Sequence, residues 1–218
     1  MKLKSQVQDY LAKYNVSDVI NADMDYLFIL ESPHKDEIKN NYPVAGNSGI
    51  EMTKFIYSQD CDDAFGKLVS QVEHYQAEYD GLNKFGIMNI SPAPMQGSAL
   101  QDYKLSAVEE QVLHILGKLR VNYQARTHRN PDWNKTKEVV INNFRTRLEE
   151  TLSNYNPDYI IPCGKLAQEY IDLANPIDDL SIQPKIIHKI PHPSRNQWRH
   201  YDAMSNLEDV LTADIDLK

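Results

Sequence analysis

The sequence predicts an α/β protein, a three-layer α/β/α domain on a four-stranded, mostly parallel sheet. Three observations carry that expectation. Four short apolar runs are each the length of one buried strand, amphipathic helical patterns fill the gaps between them, and every run stops at a segment rich in Pro, Ser, Gly or His. Strands alternating with helices imply parallel strands covered on both faces. With 218 residues, no internal repeat and no linker-like tract, a single domain over 1–218 is expected.

The elements follow in order. The first twenty residues read as a helix, with Val7, Tyr10, Leu11 and Tyr14 at i, i+3, i+4 and i+7 on one face. Tyr26 to Leu30 is a continuous apolar run ended by Ser32-Pro33, the pattern of a strand buried on both faces. A turn-rich loop, Tyr42 to Gly49, then leads into a helix from about Ile50. Phe85 to Ile90 is the second strand. Ser106 and Glu109 make a capping-box signature ahead of Val108, Val112, Ile115, Leu116 and Leu119. Val121 to Lys137 reads as the longest irregular segment, of the kind an ordered domain keeps for function. Phe144, Leu148, Leu152 and Tyr155 line the next helix, and Tyr159 to Ile161 is the third strand. Leu166, Ala167, Tyr170 and Ile171 line a helix that starts directly after Cys163-Gly164. Ile186 to Ile190 is the fourth strand, and Ala203, Leu207, Val210 and Leu211 mark the last helix.

Composition narrows the function classes. A chain 41% hydrophobic and 25% charged is not wholesale disordered. No apolar run approaches the ~18 residues of a membrane span. Met1 to Gln6 is polar and leads into no apolar signal segment, so a soluble cytoplasmic protein is expected. Cys61 and Cys163 lie far apart with no CxxC, which excludes a disulfide framework and an all-cysteine zinc or iron–sulfur site. The net charge of −8 counts against non-specific coating of nucleic acid. Yet Lys118, Arg120, Arg126, Arg129, Lys135 and Lys137 face a single acid, Asp132, in one stretch, and such a stripe can hold a phosphate backbone.

In open parallel sheets the ligand gathers at the carboxyl ends of the strands, so the segments after the apolar runs are the candidates. Glu31 is suited either to orienting a water and stabilising positive charge or to capping a backbone turn. Gly46 and Gly49 allow close backbone approach to an anion at a helix N-terminus, or serve an ordinary loop-to-helix turn. Asn89 offers a donor and an acceptor that match a pyrimidine edge, or closes the turn before Ser91-Pro92. His192, fixed between Pro191 and Pro193, is placed to donate to a leaving group, with Ser194 and Arg195 suited to phosphate. His188, His192 and His200 have no metal-ligand spacing. Cys163 reads as a buried strand-end residue, without a base to make it a nucleophile. Trp133 and Trp198 are either base-stacking platforms or packing anchors.

The order of these segments is similar to the uracil-DNA glycosylase superfamily. Leu30-Glu31-Ser32-Pro33 with Pro43-Val44-Ala45-Gly46-Asn47-Ser48-Gly49 resembles its first motif and the loop that follows. Met88-Asn89-Ile90 with Pro92 resembles the middle motif, Ile160 to Ala167 the strand–glycine–helix segment, and His192-Pro193-Ser194 the closing motif. The likeness spans roughly residues 25–200. It implies a DNA glycosylase that cuts the N-glycosidic bond of uracil or a related damaged base by base flipping, with DNA as partner and no metal or organic cofactor. It implies that Glu31 places water or stabilises the sugar cation, that Asn89 reads the base, and that His192 stabilises the departing base anion. Ser32, Pro33, Ser194 and Arg195 would pinch the flanking phosphates. Val44 stands where the family carries a base-stacking aromatic, and His34, where it carries a glycine, is a planar group able to replace that stack. A non-catalytic protein holding nucleic acid or nucleotide on the same fold is the rival expectation, favoured by Val44 and the acidic net charge.

Overall fold

The computed structural model describes residues 2–57, 61–174, 184–195 and 197–214. The chain begins with α1 (Lys2–Lys13), β1 (Tyr26–Leu30), α2 (Lys35–Asn40), α3 (Asn47–Tyr57), α4 (Phe65–Ser70), α5 (Val72–Tyr75) and β2 (Phe85–Asn89). It continues through α6 (Ala107–Val121), α7 (Pro131–Tyr155), β3 (Tyr159–Pro162), α8 (Lys165–Ala174), β4 (Lys185–Ile186) and α9 (Met204–Asp214). The strands form one sheet in the order β2-β1-β3-β4 with every pairing parallel. Val19, which lies outside the strands, makes an antiparallel bridge to Ile87 of β2.

Alternate side chains of β1 feed two cores, because successive residues of a strand point to opposite faces. Leu27 and Ile29 join Met88, Ile160 and the apolar faces of α1, α6, α7 and α8. Tyr26, Phe28 and Leu30 join Phe85, Ile87, Ile161 and residues of α3, α4 and α9. The result is the expected α/β/α sandwich. The connection from β1 to β2 carries α3 and α4 past the second core, whereas the connection from β2 to β3 carries α6 and α7 past the first. With its neighbours leaving on opposite sides, β1 opens a crevice beyond its carboxyl end.

Several expected boundaries move. The first helix stops at Lys13, and the helix after the turn-rich loop begins at Asn47 rather than Ile50. The segment from Val121 to Lys137 is irregular only as far as Asn130. Asn130 caps α7 by accepting the Asp132 N–H at 2.9 Å, and Pro131 occupies its first turn, a start signal that extends the helix to 25 residues. The fourth strand is two residues long instead of five. Lys189 turns into the left-handed region at φ 68°, which ends extension before Pro191. Val108 and Tyr155, expected on buried faces, are exposed at 41% and 40%. The Ser106–Glu109 capping box forms as expected.

One side chain of α7 fixes the end of β2. Arg147 Nη1 donates to both carboxylate oxygens of Asp18 at 2.8 and 2.7 Å. Its Nη2 donates to the carbonyls of Asn89 and Ile90 at 2.7 and 3.0 Å. Burial pushes the Asp18 carboxyl up despite the facing guanidinium, so the pair is costly to separate. Arg147→Ala leaves a buried carboxylate and two carbonyls unpaired and is expected to lower stability in urea unfolding by about 3–5 kcal/mol. Arg147→Lys, a point charge without the planar fork, should recover only part of that. A loss below about 1 kcal/mol in the alanine variant would mean that the clamp contributes little.

Candidate functional site

A cavity of about 750 Å³ lies at the carboxyl ends of β1, β2 and β3. Glu31, Ser32, His34, Val44, Gly46, Asn89, His192, Ser194 and Arg195 all border it, brought together from four separate segments. Pro33 is buried beneath the wall and does not line the cavity. Arg126 and Arg129 are exposed on the 122–130 loop, which reaches the cavity through Tyr123 instead. Asn196 lies outside the described residues.

Glu31 follows β1 directly, and its carbonyl accepts the Ser91 N–H at 3.1 Å, which ties the end of β1 to the end of β2. Its side chain is 18% exposed and pairs with Arg120 Nε from the last turn of α6. The expected basic stripe is therefore divided among local tasks. Arg120 serves Glu31, Lys135 pairs with Asp132 at 3.1 Å, and Lys137 is buried, donating to the Ala125 carbonyl at 2.6 Å. Arg120 was expected as a phosphate contact rather than as a partner for the site's own carboxylate.

His192 is seated by backbone contacts. Gly164, at φ 91°, donates its N–H to the Ile190 carbonyl at 2.9 Å, and a Cβ there would stand 3.1 Å from the His192 Cβ. Only glycine combines that conformation with that approach. Gln168 Nε2 donates to the same carbonyl at 2.9 Å, and Trp198 Nε1 donates to Pro191 O at 2.8 Å. Trp198 is thus a buried anchor for the histidine loop, 2% exposed and packed on Phe28 and Phe55, and not a stacking platform. Trp133 likewise packs against the core edge, with the His128 ring 5.4 Å away. The Ser194 N–H donates to His192 Nδ1 at 3.2 Å, which leaves the proton of a neutral ring on Nε2. Burial lowers the imidazole pKa, Glu31 raises it and Arg120 lowers it. The neutral ring is favoured, because a proton on Nδ1 would face the Ser194 N–H.

Asn89 is 1% exposed, yet neither its Nδ2 nor its Oδ1 completes a hydrogen bond, and the Ser32 hydroxyl is equally unmatched. Buried polar groups are usually completed by protein, by ordered water or by a ligand, and this pair faces the cavity from which either of the last two can come. Cys163 borders the same cavity, but burial pushes its thiol pKa far up, so it stays an inert packing group.

The turn-rich loop is held in a strained form. Val44 sits at φ 47°, rare for a β-branched residue and costing about 1–3 kcal/mol. Its carbonyl packs so tightly on Gly49 that a Cβ there would fall 1.8 Å from the oxygen, and the Pro43 carbonyl packs on Gly66 in the same way. The Val44 N–H is caught by Glu37 Oε1 at 2.8 Å. Glu37 Oε2 accepts the His34 N–H at 2.6 Å, closing α2 at its start. The His34 ring meets the Ser98 hydroxyl at 3.2 Å. Burial is the largest influence on the Glu37 carboxyl, raising it from 4.5 to about 7 against the backbone N–H groups of His34 and Val44 and the adjacent Asn89 side chain. Glu37 escaped sequence reasoning. Its signal was the spacing His34-x-x-Glu37 after a strand, which marks a helix start.

The Glu31 carboxylate after β1, the Asn89 amide at the end of β2 and the His192 imidazole in the segment after β4 border one cavity at the carboxyl edge of the sheet, where open α/β sheets hold their ligands. Residues 17–215 match the family model of the uracil DNA glycosylase superfamily, and the chain belongs to that superfamily. A search of curated proteins finds no match. Membership supports a DNA-glycosylase type of function, with DNA as the partner. Among the described residues no helix is long and apolar enough to cross a membrane.

Two of the shifted groups, Glu37 and His192, predict opposite pH dependences. With its folded pKa above the unfolded one, Glu37 retains a proton that the unfolded chain has released between pH 4.5 and about 7. Unfolding free energy should therefore fall as pH rises through that window, by at most about 3 kcal/mol. His192, depressed by burial, contributes stability that is lost as pH falls below about 6.5. Glu37→Gln should remove the first dependence and keep the second in denaturant titrations between pH 5 and 8. Parallel curves for wild type and variant would assign the first dependence to another group.

Proposed function

We propose that the protein is a monofunctional DNA glycosylase that flips a nucleotide into the cavity and removes uracil or a related damaged base, working as one domain. The observation that carries the reading is the unmatched Asn89 amide sharing a cavity with Glu31 and a neutral His192 whose Nε2 bears the proton. Asn89 reads the flipped base through its amide. The N-glycosidic bond breaks with its electron pair leaving on the base, and His192 Nε2–H donates to the resulting anion. Glu31 stabilises the positive charge left on the sugar, and water adds at the anomeric carbon, losing a proton to the carboxylate or to solvent. Ser32, Ser194 and Arg195 meet the flanking phosphates. A phosphate near Arg120 competes for its guanidinium and frees the Glu31 carboxylate to face the sugar. Arg126 and Arg129 extend the contact along the strand.

Oligonucleotides carrying uracil, hypoxanthine or xanthine, assayed for alkali-labile abasic sites, test the reading directly. His192→Ala is expected to slow single-turnover excision by about 10²–10³-fold while DNA affinity changes little. Glu31→Gln should slow excision without loss of binding, and Asn89→Ala should narrow the rate differences between bases. Reversing the charge of both Arg126 and Arg129 should flatten the log–log salt dependence of DNA binding by about one unit per lost contact. Val44 and the pairing of Glu31 with Arg120 favour a second reading, a binding protein without catalysis. That reading prevails if wild type excises nothing, binds DNA or nucleotide, and loses that binding in His192→Ala.

A further inference from the structure

Lys137 is a buried cation that the steps above do not use. It lies in the second turn of α7, 4% exposed, and its Nζ donates to the carbonyl of Ala125 at 2.6 Å. The same ammonium stands 5.5 Å from the centre of the Tyr170 ring on α8. Burial lowers its pKa, and Glu169 opposes that effect. An ammonium carries three donors and is strongly hydrated in water, so one carbonyl and one ring face replace little of what it has lost. Methionine, unbranched and apolar, would fill the space without the penalty of a buried charge. The stability of the fold therefore gives no reason for a lysine here. The reason lies in what the lysine holds.

It holds the middle of the loop between α6 and α7. A second tie lies three residues on, where Asn134 Oδ1 accepts the His128 N–H at 2.7 Å and Asn134 Nδ2 donates to the His128 carbonyl at 2.8 Å. The ends of the loop are closed by Asn122, whose Nδ2 donates to Lys118 O at 2.8 Å, and by the Asn130 cap on α7. Fastened and exposed positions alternate. Arg126 and Thr127 are exposed between Ala125 and His128, and Arg129 is exposed directly after. Two guanidinium groups thus stand on a backbone that is fixed before any ligand arrives. A phosphate chain gains from such a surface, because the donors match its oxygens and no loop has to be ordered at binding.

We propose that Lys137 is a positioning residue for DNA, fastening the 122–130 loop so that Arg126 and Arg129 meet phosphates from a preformed backbone. This rests on the reading of those two arginines as DNA contacts. The buried charge serves binding and not stability.

Lys137→Met separates the two. Its urea unfolding midpoint should equal or exceed that of wild type. Without DNA, hydrogen exchange at the Ala125 and His128 amides, which donate to Asn122 O and Asn134 Oδ1, should quicken at least tenfold. Affinity for a DNA oligonucleotide should fall about tenfold, because the loop is then ordered at binding instead of beforehand. In a chain that already carries Arg126→Ala and Arg129→Ala, the same substitution should change affinity less than about twofold. A residue acting only on the fold, or only as one more positive charge, would give additive effects. Full additivity overturns the proposal, as do unmoved exchange in the loop and a joint loss of stability and affinity. A variant that does not fold overturns it too, since the lysine would then serve stability. Independently of any variant, acylation of native wild type should spare Lys137 while the exposed Lys118 and Lys135 react. A Lys137 that reacts as fast as they do means the loop is not fastened. If wild type binds no DNA, the partner reading fails by itself, and exchange in the loop still decides whether Lys137 holds it.

Discussion

The ends of three strands have to be held still for this cavity to exist, and the Arg147 guanidinium does this for the one that needs it most. β2 ends at Asn89, whose side chain is buried without a hydrogen-bond partner and so cannot anchor itself. The anchoring comes from behind, where Arg147 holds the Asn89 and Ile90 carbonyls and is itself held by Asp18. β1 then takes its position from β2 through Ile90 N–H to Leu30 O at 2.8 Å and Ser91 N–H to Glu31 O at 3.1 Å. β3 takes its position from β1 through Cys163 N–H to Ile29 O at 2.8 Å. The His192 loop hangs in turn on Gly164, one residue beyond. The amide, the carboxylate and the imidazole are linked by this succession of backbone contacts.

The architecture was legible because burial on both faces leaves a plain mark. Runs such as Tyr26 to Leu30 and Phe85 to Asn89 are apolar at nearly every position, and only a parallel strand between helices requires that. The strand-end residues were legible for the same reason, since polar groups directly after such runs have one place to go. The fourth strand misled because Ile190 is buried in the core against the sheet without pairing in it, so its apolar character reported packing but not pairing. The basic stretch misled because charge along a sequence does not reveal partners. Arg120 and Lys137 turn inward from helices, toward Glu31 and the Ala125 carbonyl. Arg147 was out of reach altogether, for its meaning lies in backbone groups brought to it from elsewhere in the chain, whereas Glu37 left only the local spacing from His34 as a sign.

Val44 joins these two kinds of information. Its identity marks a departure from the aromatic that the superfamily resemblance leads one to expect, and its backbone explains how the position is used. A left-handed valine persists only where the surroundings over-determine it. Here the amide is held by Glu37 and the carbonyl by the bare faces of Gly49, while the neighbouring Pro43 carbonyl rests on Gly66. The loop presents an aliphatic surface to the cavity, so under the proposed function a flipped base would be gripped by shape and by Asn89, with less contribution from ring stacking.

The parallel sheet also sets the time at which the cavity comes into being during folding. β1 is made early in the chain, but its partner β3 follows about 130 residues later, and Tyr26 cannot stack on Tyr159 until that long loop has closed. Local helices such as α7 can form without that closure, while Glu31, Asn89 and His192 meet only after it. The cavity is therefore a product of the last long-range closure, and no part of the chain shorter than β1 to the His192 segment can assemble it.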